Sequence, residues 1–231
     1  MKSYIFLLLI FCSVLLFSAT GCTPRQREPE PSSAVVQSSA PDTPSQQEIL
    51  QTPTAIAEQL VMLYGAEENE EGQLVPLPIS LLYSSDWSSP DDLSTISYLS
   101  WFLGYIWNMD YEEIQQRYTS PLGQDYGWFF PEEEFEATVQ KYFAVSTQTL
   151  RTDTSIYLKE YHGYQSPSGG GIGERPIISI TEVTEQADNI LQIHLTMQGS
   201  METEHRILAV QKQESGNYRF LSYTTDIGSK L

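Results

Sequence analysis

The feature that most constrains the fold is a series of four strand-like runs near the C-terminal end of the chain. Each run is rich in Ile, Val, Thr and Tyr, which favour extended strands. Short turns separate consecutive runs, so neighbouring runs pair in the antiparallel sense. The runs are PIISITEVTE, NILQIHLTMQ, EHRILAVQKQ and NYRFLSYTTD, with turns at Ala187–Asn189, Gly199–Ser200 and Ser215–Asn217. The sequence therefore predicts a four-stranded meander, with a fifth, weaker strand in SIYLKEYHGY.

Upstream of these strands, apolar residues recur at the spacing of helices. A first helix is predicted from Thr52–Pro53, which are typical of a cap and a first helical residue, to Gly65. A second start lies at Ser89–Pro90, followed by two aspartates and the segment LSTISYLSWFLGYIWNMD. Because this segment is apolar nearly all round, we expect it to be the central buried helix. A third helix begins at Pro131, with three glutamates at its positive end.

Helices followed by a meander define the α+β class, with N-terminal helices packed on a C-terminal antiparallel β-meander. We expect the central helix to cover one face of the sheet. This order of elements resembles the cystatin-like and nuclear-transport-factor-like folds, in which a bent sheet wraps around a helix. The resemblance implies a cone-shaped sheet.

Composition predicts one domain and excludes several kinds of chemistry. The chain has 231 residues, 40% of them apolar, which is ample for one core and thin for two. It carries 12 Lys and Arg against 30 Asp and Glu, and the net charge of -18 opposes binding to nucleic acid. Cys12 and Cys22 are its two cysteines. The residues beyond them therefore offer no thiol for a disulfide, a thiolate metal site or a nucleophile.

The N-terminal segment predicts where the chain resides. As a helix, the apolar run Tyr4–Phe17 would reach about 21 Å, short of a hydrocarbon core of roughly 30 Å, which favours a cleavable signal over a membrane span. The motif Ala19–Cys22 resembles the lipobox of bacterial lipoproteins, with small residues, then glycine, then cysteine. The resemblance implies removal of residues 1–21 and attachment of fatty chains such as palmitate to Cys22. An ordinary secretory leader and an uncleaved anchor are the alternatives.

The segment after Cys22 predicts a tether. TPRQREPEPSSAVVQSSAPDTPSQQ has no aromatic residue and is rich in Pro, Ser and Gln, so it cannot offset its ordering entropy by burial. We therefore expect a lipidated cysteine and a disordered tether over 22–48, and a single globular domain over 49–231. The predicted location is the extracytoplasmic face of the cell membrane, with lipid as the anchor.

Three groups of residues could carry chemistry, and each has a simpler interpretation. The glycine-rich segment 167–176 is followed by a strand instead of the helix that a phosphate loop requires, so we interpret it as a loop entering the sheet. The histidines form no zinc motif, although His194 and His205 could meet across a hairpin. The acidic runs AEENEEG and PEEEFE lack the spaced ligands of a calcium loop. We therefore assign no catalytic residue, metal ligand or cofactor.

Aromatic residues are the remaining candidates for a binding site. Trp101 and Trp107 lie in the helix that we expect to be buried, which favours a packing role for both. Trp128 follows a glycine and precedes a helix start, so it is the better candidate for exposure. Together with Tyr126, it forms the predicted ligand-binding pair, because exposed rings stack on sugars or peptide side chains.

The sequence favours a non-catalytic binding or interaction module on the outside of a membrane, whose partner is a wall polymer, a peptide or a protein. The segment VQKYFAVSTQTLR, with the glycine loop and meander that follow, resembles the folded part of uncharacterised lipoproteins of Gram-positive bacteria. That resemblance implies no activity. The alternative is an enzyme on a cone-shaped sheet, with a deep pocket in which His194, His205 or a tyrosine meets a buried carboxylate of displaced pKa.

Overall fold

A computed structural model describes residues 52–107, 109–123, 126–166 and 175–228. The predicted leader, Cys22, the tether up to residue 48 and residues 167–174 of the glycine-rich segment lie outside these ranges. The described residues form helices, a six-stranded antiparallel sheet and a small three-stranded sheet. This arrangement confirms the predicted α+β class.

Five helices and nine strands make up the described residues. The helices are α1 (Pro53–Gly65), α2 (Thr95–Ile106), α3 (Tyr111–Arg117), α4 (Glu132–Tyr142) and α5 (Thr147–Leu150). The strands are β1 (Ala66–Glu68), β2 (Leu74–Pro76), β3 (Phe129–Pro131), β4 (Tyr157–Leu158), β5 (Gly163–Gln165), β6 (Ile177–Gln186), β7 (Ile190–Gln198), β8 (Thr203–Lys212) and β9 (Tyr218–Thr225).

The large sheet is the predicted meander, extended at one edge. Its strand order is β1-β2-β6-β7-β8-β9, and β6 to β9 pair antiparallel across the three predicted turns. The sequence analysis missed β1 and β2, which join the sheet where Leu74 lies opposite Ile178. Each has three residues, too few for an alternating pattern to stand out.

Features at both edges of the large sheet hinder the addition of another strand. β1 is short and carries Glu67 and Glu68. Along β9, the main chains of Trp87 and Tyr223 exchange two hydrogen bonds of 2.9 Å, and Phe143 forms a further bridge with β9. These contacts occupy part of the edge at which another strand could add.

The second helix begins later than predicted. Ser89 caps a single 3₁₀ turn, Pro90–Asp92, in a capping box. Leu93 then has extended backbone angles, and Ser94 caps α2 by accepting a hydrogen bond from the amide of Ser97. The predicted cap at Ser89 is confirmed, but the prediction of a continuous helix from that point is wrong, because a second cap interrupts it.

The other two predicted helices have the expected starts. The Thr52 hydroxyl accepts a hydrogen bond from the third residue of α1, and α1 ends at Gly65, whose φ of +138° favours glycine. α4 begins directly after Pro131. The expected fifth strand differs from its prediction: SIYLKEYHGY contains two short strands, β4 and β5, which pair with β3 in the separate order β3-β5-β4.

The helices cover one face of the large sheet jointly. α1 packs on β6 and α4 packs on β9, while α2 packs on both α1 and α4. α2 is therefore buried as predicted, but the prediction that it covers the sheet is wrong, because α1 and α4, on which it packs, make the main contacts with the strands. Trp101 of α2 meets Phe143 at 5.0 Å between ring centroids, and Phe143 meets Phe220 of β9 at 5.3 Å. An aromatic series thus connects the helices to the sheet.

An ion pair between a buried glutamate and a half-buried arginine ties α4 to the end of α5. Glu136 of α4 is 8% exposed, and its two carboxylate oxygens accept hydrogen bonds from Nε and Nη2 of Arg151 at 2.6 and 2.9 Å. The Tyr164 hydroxyl of β5 donates to the same carboxylate at 2.7 Å. Burial and the Glu136 carboxylate raise the pKa of Tyr164 well above its ordinary value, so this hydroxyl remains a donor.

Removing the guanidinium from this network should destabilise the domain strongly. We expect Arg151→Ala to lower the free energy of unfolding by about 2–3 kcal/mol, because Glu136 would be left buried without its counter-charge. The matched control is Arg117→Ala, which breaks the pair with Glu134 at 2.7 Å, where the arginine side chain is 49% exposed. It should cost about 1 kcal/mol or less. Urea unfolding would measure both, and equal losses would contradict the burial argument.

Candidate functional site

A pocket opens beside α3, at the loop that leads into β3. It encloses about 380 Å³, and its described lining residues are aromatic or polar and uncharged: Tyr111, Gln115, Thr119, Ser120, Gly127 and Trp128. Two short stretches of chain, one from α3 and one around Trp128, therefore form its walls.

α3 presents Tyr111 at one side of the pocket. The Asp110 carboxylate caps the helix by accepting hydrogen bonds from the amides of Glu112 and Glu113, which makes Tyr111 the first helical residue. Its side chain is 62% exposed, and its hydroxyl accepts a hydrogen bond of 3.0 Å from Nε2 of Gln115, one turn further on. The ring is thus held at the pocket although it is largely in solvent.

The opposite wall is the loop that carries Trp128. Thr119 and Trp128 face each other in an isolated antiparallel bridge, and the Gln165 amide donates to the carbonyls of Tyr126 and Trp128. Ser120 in turn donates to the Gln165 side-chain oxygen at 2.7 Å. The loop is therefore fixed to β5 by side-chain hydrogen bonds.

The predicted ligand-binding residues are only partly brought together. Trp128 lines the pocket and also packs partly on the hydrophobic core. Tyr126 lies on the same loop and is 55% exposed, but it does not line the pocket. Trp107, which we expected to be buried, is the C-cap residue directly after α2 and is 37% exposed, whereas Trp101 is buried as predicted.

Sequence analysis missed Tyr111, although a signal was available. The stretch MDYEE places an aspartate before two first-turn glutamates, which is the pattern of a helix start. Reading that pattern would have predicted α3 and placed Tyr111 at its exposed first turn.

The chemistry of this pocket suits binding. Its described lining offers two aromatic rings, hydroxyl groups and the Gln115 amide, and none of these residues is acidic, basic or a thiol. Aromatic rings with polar neighbours favour ligands that have both apolar faces and hydroxyl or amide groups. The carboxylates of Asp110, Glu112 and Glu113 at the start of α3 disfavour an anion there.

The histidines of the meander lie elsewhere, on the face of the sheet away from the helices. Nδ1 of His194 lies 3.1 Å from a carboxylate oxygen of Asp226, whereas Nδ1 of His205 lies 3.1 Å from the Thr196 hydroxyl. The bond with His194 lowers the pKa of Asp226. No group of three or more metal-ligating side chains occurs among the described residues.

The pKa values of the Tyr157–Glu132 pair are displaced in the direction opposite to the one that an acid catalyst requires. The pKa of Tyr157 is raised and that of Glu132 is lowered by their mutual hydrogen bond of 2.7 Å. The tyrosine is thereby held protonated and the carboxylate ionised. A general acid near neutral pH instead requires a carboxyl group whose pKa is raised.

The described end of the glycine-rich segment has a structural role. The Arg175 guanidinium donates to the Pro76 carbonyl at 2.7 Å and pairs with the Glu67 carboxylate at 2.5 Å. Arg175 therefore fastens the start of β6 to β1 and β2. This arginine has a carboxylate partner, so it does not support an anion site.

These features define an α+β domain with a lateral aromatic pocket. Residues 79–224, more than half of the chain, match the family of unknown function DUF6070. The chain belongs to this family, and the matched residues include the whole described pocket lining.

Neither the curated proteins nor the solved structures contain a match to the chain, so the resemblance to cystatin-like and nuclear-transport-factor-like folds stays a prediction. Within the described ranges, no helix combines the length and apolar character needed to cross a bilayer.

The pair of Asp226 with His194 should make stability depend on pH. Because the folded pKa of Asp226 lies below its unfolded value, its contribution is present above the unfolded pKa of about 3.9 and is lost as pH falls through the folded pKa. We expect Asp226→Asn to lower the Tm at pH 5 to 6, with the difference from the unaltered chain closing as pH falls through the folded pKa of Asp226.

Thermal unfolding across this pH range would measure the effect. Glu214→Gln is the control, since Glu214 is exposed and makes no ion pair with the described residues. A Tm difference for Asp226→Asn that stays constant over the whole range would contradict the assignment.

Proposed function

We propose that this chain is a lipid-anchored extracytoplasmic protein whose folded domain is a non-catalytic binding module. The pocket between Tyr111 and Trp128 is the main support for the binding role. The anchor rests on the resemblance of Ala19–Cys22 to a lipobox, with Cys22 as the lipidated residue.

The length of the apolar run and the number of acyl chains on a lipidated cysteine support the anchor. The apolar run Tyr4–Phe17 is short for a bilayer span, whereas two or more acyl chains on one residue hold a protein firmly. The net charge of -18 would keep the domain away from an anionic membrane surface. Lipid anchoring and a polar tether together would present the pocket outside the cell.

The ligand class follows from the pocket lining. Neutral sugars present hydroxyl groups at their edges and apolar C–H faces that stack on aromatic rings. The pocket supplies Tyr111 and Trp128 for stacking, and Gln115, Thr119 and Ser120 for polar contacts. Its volume of about 380 Å³ lies at the small end of ligand sites, which suits one or two sugar units of a wall polymer.

The anchor can be tested through Cys22. Because the acyl chains are proposed to be on this sulphur, Cys22→Ala should move the protein from the detergent phase to the aqueous phase after Triton X-114 partition. Mass spectrometry of the unaltered protein should find residue 22 at the N-terminus with its lipid. Cys12→Ala is the control and should partition like the unaltered protein. An intact Met1 in the native material would contradict the anchor.

The binding role can be tested with N-acetylglucosamine oligomers as the sugar probe. We expect saturable quenching of tryptophan fluorescence in the full chain, and we expect Tyr111→Ala to weaken the affinity about five- to tenfold through loss of one stacking ring. Tyr111 is the better target because Trp128 also packs on the core.

The matched control is Tyr161→Ala, which removes a tyrosine of comparable exposure, 45%, from the 3₁₀ turn between β4 and β5. Its affinity should stay within twofold of that of the unaltered chain. Equal weakening by the two variants, or the absence of quenching in the unaltered chain, would contradict a sugar site at this pocket.

A further inference from the structure

A second concavity lies at the end of the large sheet, where β7 turns into β8. It is a groove of about 280 Å³ that shares no residue with the pocket at Tyr111. Its lining combines apolar side chains with a charged rim, and includes Leu82, Tyr83, Met197, Met201, Glu202 and Arg206. All six lie within the residues that match the family.

The apolar part of the groove has a buried floor and exposed sides. Leu82 and Met197 are 1% and 4% exposed, whereas Tyr83 is 47% and Met201 is 92% exposed. A single exposed apolar residue is ordinary on a protein surface. Here two stand at one concavity above an apolar floor, and this arrangement is typical of a surface that a partner covers.

The charge at the rim is negative. The only cation in the described lining, Arg206, pairs with Glu204 at 2.8 Å and with Asp86, and lies 5.3 Å from the Tyr223 ring centroid. Its side chain is 15% exposed, so its charge is largely compensated by these neighbours. Glu202 forms no ion pair with any described residue. The described lining therefore carries two glutamates and one arginine, and the charge of that arginine is already paired.

The size of the groove limits what can enter. Ligand sites for small molecules usually exceed about 300 Å³, and this groove is slightly smaller. It can accept one large side chain of a partner. Methionine adapts its shape more readily than branched residues, so Met197 and Met201 can fit aliphatic or aromatic anchors.

We propose that this groove docks a segment of a partner protein that carries one large apolar side chain flanked by lysine or arginine. The apolar side chain would cover Met201 and Tyr83 and reach the floor. The flanking cations would meet Glu202 and Glu204. The proposal does not depend on the sugar site, because the two concavities have separate linings.

The probe for this proposal is a fluorescein-labelled peptide, Gly-Ser-Lys-Lys-Phe-Lys-Lys-Ser-Gly, titrated into the full chain in detergent micelles. Two companion peptides replace phenylalanine by serine or every lysine by glutamate. Fluorescence anisotropy should show saturable binding of the first peptide, with affinity at least about tenfold above that of either companion.

Substitutions in the groove test whether the peptide binds there. Met201→Ser should weaken the affinity about tenfold through loss of apolar contact without a change of charge, and Glu202→Lys should weaken it about five- to tenfold. Both residues are exposed, so neither change should prevent folding. Glu214→Lys makes the same charge change at an exposed glutamate in the β8–β9 turn, and should alter affinity less than about twofold.

Methyl NMR of ¹³C-labelled methionine gives an independent measurement. The peptide should shift the signals of Met197 and Met201 and leave that of Met62 in α1 unchanged. Equal weakening by Glu202→Lys and Glu214→Lys would show general attraction to an acidic protein and overturn the proposal. So would binding of the serine peptide as tight as that of the phenylalanine peptide, or absence of binding. Loss of sugar binding at Tyr111 would leave these outcomes unchanged.

Discussion

The Glu136 carboxylate joins three elements of this fold, α4, α5 and β5. A charge buried beside an aromatic core requires partners, and Glu136 obtains them from α5 through Arg151 and from β5 through Tyr164. β5 pairs with β3, and β3 begins at the residue after Trp128. The position of the loop that carries Trp128, which forms one wall of the pocket, therefore depends on the hydrogen bonds that Glu136 accepts in the interior.

The sequence correctly predicted the helices and strands that are determined by residues within or next to the element itself. The strands β6 to β9 have β-branched runs and short turns of their own, and α1 and α4 have their own starts. The errors occurred where distant contacts decide. β2 becomes a strand through pairing with β6, and β1 through pairing with β2. SIYLKEYHGY is divided between two strands because β5 lies between β3 and β4. At α2, two serine caps lie five residues apart, and only the structure shows that the second one starts the helix.

The candidate site was predicted in part for the same reason. A glycine before Trp128 suggested exposure, and Trp128 lines the pocket. Tyr111 lies in α3 and Trp128 in the loop before β3, so sequence spacing could not place the two opposite each other. The two histidines illustrate the converse. Strand pairing sets Thr196 opposite His205 and Ile207 opposite His194, so each ring takes a separate partner, which no count of residues around the turn could show.

The hydrogen bonds between Trp87 and Tyr223 have a consequence for many copies on one surface. Proteins confined to two dimensions meet one another often, and an open strand edge would let such encounters grow into fibres. Here the longer edge strand is already engaged by its own chain, and the other edge is three residues long with two negative charges. If the chain is lipid-anchored as proposed, both edges would therefore oppose polymerisation through the sheet when copies crowd on a membrane.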